Sequence, residues 1–287
     1  MGRLKRIAHK VIAMLPRSKA LTACCRYYCE HCSHDPQPLD VGCDMHTNGE
    51  LRLLRELAPH LHTVLDVGAN VGDWTSMLLA LNPTAQIHAF EPCVSAYDKL
   101  SRRGFGANVT LHQVALSSSA GPARLQIFGD ASGLNSLHNR YGLEDAAGLA
   151  PATRSEEVQL ETVDAFCSRI SLPCIDLMKI DTEGHEIDVL QGSRASLAAG
   201  VIRRVQFEYG GTYIDSRRLL KDAFDIFADL DFVLFLIVPD GLAAYPRYDQ
   251  RLENFRYNNL VALHRDTLAS TPSASKALQL KRLLKSS

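Results

Sequence analysis

Four acids stand within eight residues in MKIDTEGHEID, residues 178–188: Asp181, Glu183, Glu186 and Asp188. Acids grouped this way can take a proton from a reacting hydroxyl, pair with a buried cation, cap a helix or hold a hard divalent cation. His185 lies among them and Lys179 just ahead. A second stretch, VLDVGANVGDW at 64–74, sets Asp66, Gly68, Asn70 and Gly72 in the pattern D-x-G-x-N-x-G. Glycines in such a turn let the backbone approach a ligand, and asparagine can take the left-handed conformation of a third glycine. A third stretch, CRYYCEHC at 25–32, spaces Cys25, Cys29 and Cys32 as C-x3-C-x2-C. Thiolates so spaced can hold an iron–sulfur cluster, or zinc with help from Cys24, His31 or His34. On a helix the same residues form one small apolar face, and packing is the reading adopted here.

Behind these residues, short apolar runs alternate with helical patterns from Thr63 onward. TVLDVG, AQIHAFEP, NVTLHQVAL, CIDLMKID, VIRRVQFEYG, DFVLFLIVP and RYNNLVALHR read as strands. Helices are expected at 72–81, 94–103, 185–199 and 215–229. Such alternation predicts an α/β fold, a mostly parallel sheet covered on both faces. PARLQIFG and EEVQLETVDAF read as additional extended segments. Between Ser117 and Arg154 the pattern weakens into a long loop region containing a hairpin.

In open α/β sheets ligands bind at the carboxyl ends of strands, beside the first turn. Glu91 ends the second strand, 25 residues beyond Asp66. A carboxylate there suits the two hydroxyls of a ribose. The turn lacks the G-x-G-x-x-G arrangement that cradles a dinucleotide pyrophosphate, which disfavours a nicotinamide-dependent oxidoreductase. It suits S-adenosylmethionine, with Asp66 toward the amino group of the methionine end. Simple turn capping is the alternative for both acids. By chain order the strand ending in Asp181 is the fourth and neighbours the first. Asp181 is therefore the leading candidate for a general base, followed by Glu183 and His185. Glu208, ending VQFEY, reaches the same rim, to orient a hydroxyl or to pair with Lys179. Lys179 needs a buried partner among Asp181, Glu183 and Glu208. In SGLNSLHN, residues 132–139, Asn135, Ser136 and His138 suit hydrogen bonding to a polyol, although an ordinary polar loop has the same composition. A divalent metal stays an alternative use of the acids, and no metal ligand is assigned.

DVGANVG, AFEP and KIDTEGHE, in that order, resemble the FkbM-type methyltransferase family. NGE at 48–50 and QFEY at 206–209 extend the resemblance to about residues 46–263. It implies a Rossmann-like sheet of seven strands with the last antiparallel, S-adenosylmethionine as donor, and usually O-methylation of a sugar or natural-product hydroxyl. It also implies that Asn48 and Glu50 lie in a segment closing over the cofactor. The expected function is O-methyl transfer to a hydroxyl of a sugar, glycolipid or related small molecule. A nitrogen or protein acceptor, or a non-catalytic nucleoside-binding member, are the alternatives.

Three regions are expected: a basic, cysteine-rich helical extension and linker at 1–45, the methyltransferase domain at 46–265, and a Ser- and Lys-rich tail at 266–287. Leu4, Ile7, Ala8, Val11, Ile12 and Leu15 recur at helical spacing, so 3–15 is expected to be an amphipathic helix. Its basic face is either solvated or laid on an anionic membrane surface. DPQPLD at 35–40 reads as a linker. His9 and Lys10 interrupt the first apolar stretch, which argues against a signal peptide. A cytoplasmic protein is expected, peripheral at most to the inner membrane surface. The formal net charge of −1 offers no global field for nucleic acid.

Overall fold

The computed structural model describes residues 44–140 and 152–286, with side chains described to residue 279. The helix expected at 3–15, the cysteines at 25–32 and the linker at 35–40 lie outside them. A helix, α1 (Glu50–Leu57), leads into β1 (Thr63–Val67), α2 (Asp73–Leu81), β2 (Gln86–Phe90), α3 (Val94–Ser101) and β3 (Val109–His112). Next come β4 (Ala115–Leu116), β5 (Gly121–Ile127), β6 (Arg154–Glu161), α4 (Val163–Ile170) and β7 (Leu177–Ile180). The chain continues through α5 (Glu186–Gln191), α6 (Arg194–Ala198), β8 (Arg204–Tyr209), α7 (Thr212–Ser216) and α8 (Leu220–Phe227). It ends with β9 (Phe232–Val238), β10 (Gly241–Tyr245), β11 (Asn258–His264) and α9 (Pro272–Ser286).

The main sheet has the order β10-β9-β11-β8-β7-β1-β2-β3. Strands β3, β2, β1, β7 and β8 are parallel, and β11 runs antiparallel to both β8 and β9. The seven expected strands are thus present with the last antiparallel. An eighth, β10, forms a hairpin with β9 at the edge. Strand order reverses between β1 and β7, the switch point where ligands enter such sheets.

Period-two alternation divides each strand between two apolar layers. Leu65, Val67, Met178, Ile180, Val205 and Phe207 face Ile187, Leu190 and Phe224 of the helices on one side. Val64, Leu177, Phe235, Val261 and Leu263 face Leu54, Leu57, Trp74 and Leu78 on the other.

Four local expectations change. In EEVQLETVDAF only the first part is strand; Thr162 Oγ1 accepts from Ala165 N at 3.0 Å and caps α4. The helix expected at 185–199 is two, α5 and α6, because the chain turns at Gly192. The helix expected at 215–229 is likewise two, divided at Arg217 in the left-handed region. The Ser- and Lys-rich segment expected as a tail forms α9, which buries Ala274 and Ala277 in the second layer. The loop region between Ser117 and Arg154 contains β5, which pairs with β6; with β4 they form a separate three-stranded sheet.

Gly192 has an ordinary φ of −74°, yet a Cβ there would stand 2.0 Å from the Ser117 carbonyl oxygen. Gly192→Ala is therefore expected to destabilise the chain by about 1–3 kcal/mol through overpacking, against alanine's better helix propensity. Urea denaturation checks this, and a more stable variant would show that the contact yields without cost.

Candidate functional site

The glycine turn joins three strand ends. Gly68 N and Ala69 N both donate to Phe90 O, at 3.0 and 2.9 Å, and Asp181 N donates to Val67 O at 3.0 Å. Gly68 has φ +78°, and a Cβ on it would lie 1.8 Å from Asp181 O. No side chain fits there, so the ends of β1 and β7 meet backbone to backbone. Asn70 takes φ +48°, the left-handed conformation expected of it. Glu91 then closes the turn. Its Oε2 accepts from Asn70 N and its Oε1 from Cys93 N, both at 2.8 Å. Burial raises the Glu91 carboxyl to about 7 against the pull of these two donors.

A row of polar side chains crosses the sheet on the α2 side. Asp66 of β1 is in register with Lys179 of β7, which is in register with Gln206 of β8. Lys179 Nζ lies 3.1 Å from Asp181 Oδ2 and 3.6 Å from Asp66 Oδ1, and 6.0 Å from the centre of the Trp74 ring. Of the partners considered for Lys179, Asp181 is the one that it takes, and Asp66 joins it. Burial works against the ammonium, but Asp181, Asp66 and Glu50 overcome it and hold Lys179 above its ordinary range. Asp66 is fully buried and its Oδ2 accepts from Thr75 Oγ1 at 2.6 Å. Glu50 is buried too. It accepts from Asn48 Nδ2 (2.6 Å), Gln206 Nε2 (2.7 Å) and Asn259 Nδ2 (2.9 Å).

At the end of β7 the acids divide. Glu186 turns inward, where Thr182 N, Thr182 Oγ1 and Gly184 N donate to it. Asp188 is held by Arg218, with Nη2 at 2.6 Å from Oδ1. Glu183, at φ +55°, meets Arg140 Nη1 at 2.6 Å. Burial and the neighbouring Asp181 raise the Glu183 carboxyl, while Arg140 opposes them. Glu208 does not pair with Lys179. Burial and the charge of Asp181 raise its carboxyl well above the ordinary range. His185 bonds Ser117 Oγ through Nε2 at 2.9 Å and His138 Nε2 through Nδ1 at 3.0 Å. Burial lowers His185 to about 4, so its ring is neutral at pH 7.

A cleft of about 290 Å³ opens at the carboxyl ends of β1, β2, β7 and β8. Gly68, Asn70 and Glu91 line one part, and Asp181, Glu183, His185 and Glu208 line another. Phe90, Pro92, Val114, Leu116 and Leu125 supply an apolar wall. Asp66, Gly72, Asn48 and Glu50 are not among the residues that line the cleft. Strand alternation turns Asp66 down to Lys179. Gly72 serves packing, since a Cβ there would meet Leu100 at 2.6 Å and Phe105 at 3.1 Å. Asn48 and Glu50 tie α1 to β8 and β11 rather than closing over a ligand. Of the loop residues, Asn135 lines the cleft, Ser136 donates to Glu183 O at 2.7 Å, and His138 reaches His185. Sequence reasoning missed Tyr257, which lines the cleft from the approach to β11, and Arg140. Neither carries a periodic or motif signal, because each acts through contacts distant in the chain.

The sequence pattern of the family described as Methyltransferase FkbM domain matches residues 66–234, more than half of the chain. Methyltransferase sdnD of Sordaria araneosa is 32% identical over 153 residues, 45% of this chain and 59% of that one. Hexuronic acid methyltransferase AglP of Haloferax volcanii is 28% identical over 176 residues, 60% of this chain and 67% of that one. The 31-O-demethyl-FK506 methyltransferase FkbM of Streptomyces tacrolimicus is 28% identical over 151 residues, 45% of this chain and 58% of that one. The chain thus spans between 58% and 67% of the length of these relatives.

Removing the buried cation should strand Asp66. Lys179→Met is expected to destabilise the chain by about 3–5 kcal/mol, and adding Asp66→Asn to restore part of that loss. Denaturant titrations of the two variants measure it; equal stability of Lys179→Met and the native chain would refute the pairing.

Proposed function

Because the chain belongs to the FkbM methyltransferase family, we propose that it transfers a methyl group from S-adenosylmethionine to a hydroxyl of a sugar, glycolipid or related small molecule. One observation carries the reading. The residues suited to a nucleoside and those suited to proton transfer line a single cleft at the switch point of the sheet. The hydroxyl acceptor draws further support from relatives named as a hexuronic acid methyltransferase and a 31-O-demethyl-FK506 methyltransferase.

The residues present fit the cofactor. Each Glu91 oxygen accepts one backbone N–H and keeps a lone pair for a ribose hydroxyl. The wall of Phe90, Pro92, Leu116 and Leu125 suits a flat apolar base. Gly68, which tolerates no Cβ, leaves main chain at the mouth of β1 for the methionine end. Bound there, S-adenosylmethionine would supply an electrophilic methyl on its sulfonium.

The chain's own part is to orient the acceptor and take its proton. The Asp181 side chain is 39% exposed, its Oδ2 fixed by Lys179 at 3.1 Å. It would take the proton of the acceptor hydroxyl as that oxygen accepts the donor's methyl group, the donor being released as its neutral demethylated thioether. Lys179 holds Asp181 in place for that transfer. Phe90 and Leu116 keep water from competing for the methyl, and Asn135 offers a hydrogen bond to a neighbouring hydroxyl.

Two outcomes test the roles. Ribose hydroxyls donate best to ionised Glu91, whose carboxyl titrates near 7 because burial raises it. Its charge is lost as pH falls, so calorimetric affinity for S-adenosylhomocysteine should weaken below pH 7, by up to about tenfold per unit. Glu91→Gln should bind more weakly and flatten that dependence; a native chain insensitive to pH would remove Glu91 from the ribose. Asp181→Asn should lower turnover by about 10²–10⁴-fold while donor affinity stays near native. A labelled methyl donor with a panel of hexuronic and neutral sugars supplies the assay, and full activity in this variant would dismiss Asp181 as the base.

A further inference from the structure

Beside the proposed base, and serving no step of methyl transfer, two imidazoles and a carboxylate converge. His138 comes from the loop after β5, His185 from the turn before α5, and Asp188 from α5 itself. Their ligand atoms all lie within 4.8 Å of one another. His138 Nε2 is 3.0 Å from His185 Nδ1, and His185 Nδ1 is 3.8 Å from Asp188 Oδ2. Two nitrogens and an oxygen around one zinc-sized ion stand about 3.3 Å apart, given metal–ligand bonds of about 2.0–2.1 Å. These two pairs bracket that spacing, and the third lies within 4.8 Å, so side-chain adjustment without backbone movement would let the three donors share an ion.

The surroundings are those of a held ligand set. His185 Nε2 is tied to Ser117 Oγ at 2.9 Å, which fixes the ring with Nδ1 facing the other two donors. Asp188 Oδ1 is held by Arg218 Nη2 at 2.6 Å and by Ser118 Oγ at 3.4 Å. Oδ2 has the longer contact, 3.3 Å to Arg218 Nε, and is the oxygen that faces His185. The loop bearing His138 is pinned by Ser136, which donates to Glu183 O at 2.7 Å and accepts from His138 N at 3.1 Å.

We propose that His138, His185 and Asp188 bind one first-row divalent transition metal ion of the zinc class. Two imidazoles with one carboxylate select such an ion over magnesium or calcium, which favour all-oxygen sets. His185 lines the cleft, so the ion would sit at its wall, with further coordination positions open to water or an oxygen ligand. The site is distinct from the all-carboxylate arrangement considered from the sequence.

Cobalt(II) titration of the chelator-stripped full chain tests this without any methyl donor or acceptor, so the result stands apart from the proposed activity. The expected result is one cobalt per chain, with visible ligand-field bands and no thiolate charge-transfer band. His138→Ala should weaken binding by more than about a hundredfold. His138→Gln, which keeps a hydrogen-bond partner for His185, should do the same and serves if the alanine variant fails to fold. No equimolar binding by the native chain overturns the proposal. So does a thiolate band alone, which would assign the ion to Cys25, Cys29 and Cys32, or native affinity in either His138 variant.

Discussion

One buried ammonium organises the carboxyl edge of this sheet. Lys179 sits mid-row between Asp66 and Gln206, its neighbours in register, and reaches forward to Asp181. A lysine so buried is tolerable only because two carboxylates flank it. Those carboxylates come from the two strands between which the strand order reverses. The pairing that keeps Lys179 charged therefore also fixes the ends of β1 and β7 together and aims Asp181 at the cleft. Glu50 adds a third charge from outside the sheet, and its bonds to Gln206 and Asn259 hold α1 over the same row.

The edge holds more acid than base. Asp66, Glu91, Asp181, Glu183, Glu186 and Glu208 crowd near it, and among the described residues the side-chain cations that pair with any of them are Lys179 and Arg140. Burial works against that excess of charge. Burial raises Glu91, Glu186 and Glu208, and Asp181 adds to it in the latter two. An edge with surplus negative charge also suits a ligand that brings a positive sulfonium and an ammonium, as the proposed donor does.

Strand order, the left-handed Asn70 and the placement of Glu91 were legible because they rest on local pattern: apolar runs, a turn composition and a fixed spacing. The division of the acids was not. Asp66 and Gly68 stand two residues apart, yet one turns into the sheet and the other opens the cleft, since the strand ends between them. Glu50 accepts a hydrogen bond from Asn259, 209 residues away, a partner beyond any local signal. Gly72 matches a ligand turn by type but yields to Leu100 and Phe105, residues of the next helix and its exit. The Ser- and Lys-rich composition after Arg265 hid Ala274, Ala277 and Leu278, whose helical spacing is what packs α9.

The two halves of the cleft are built differently, and this bears on what each can recognise. On the nucleoside side the main chain forms the floor. Gly68 has positive φ, and a Cβ on it would meet the backbone oxygen of Asp181 at 1.8 Å. Such a contact leaves no freedom for substitution and fits a ligand that never varies. The opposite side is made of side chains on the loop after β5, tied back by Ser136 to Glu183 O and by Arg140 to the Glu183 carboxylate. Here Leu137 and Tyr257 line the space beside Asp181, and Asn135 is held there by Phe128 N, which donates to its Oδ1 at 2.9 Å. Selection among acceptors can change on that side while the floor, and the charge pairing beneath it, stay as they are.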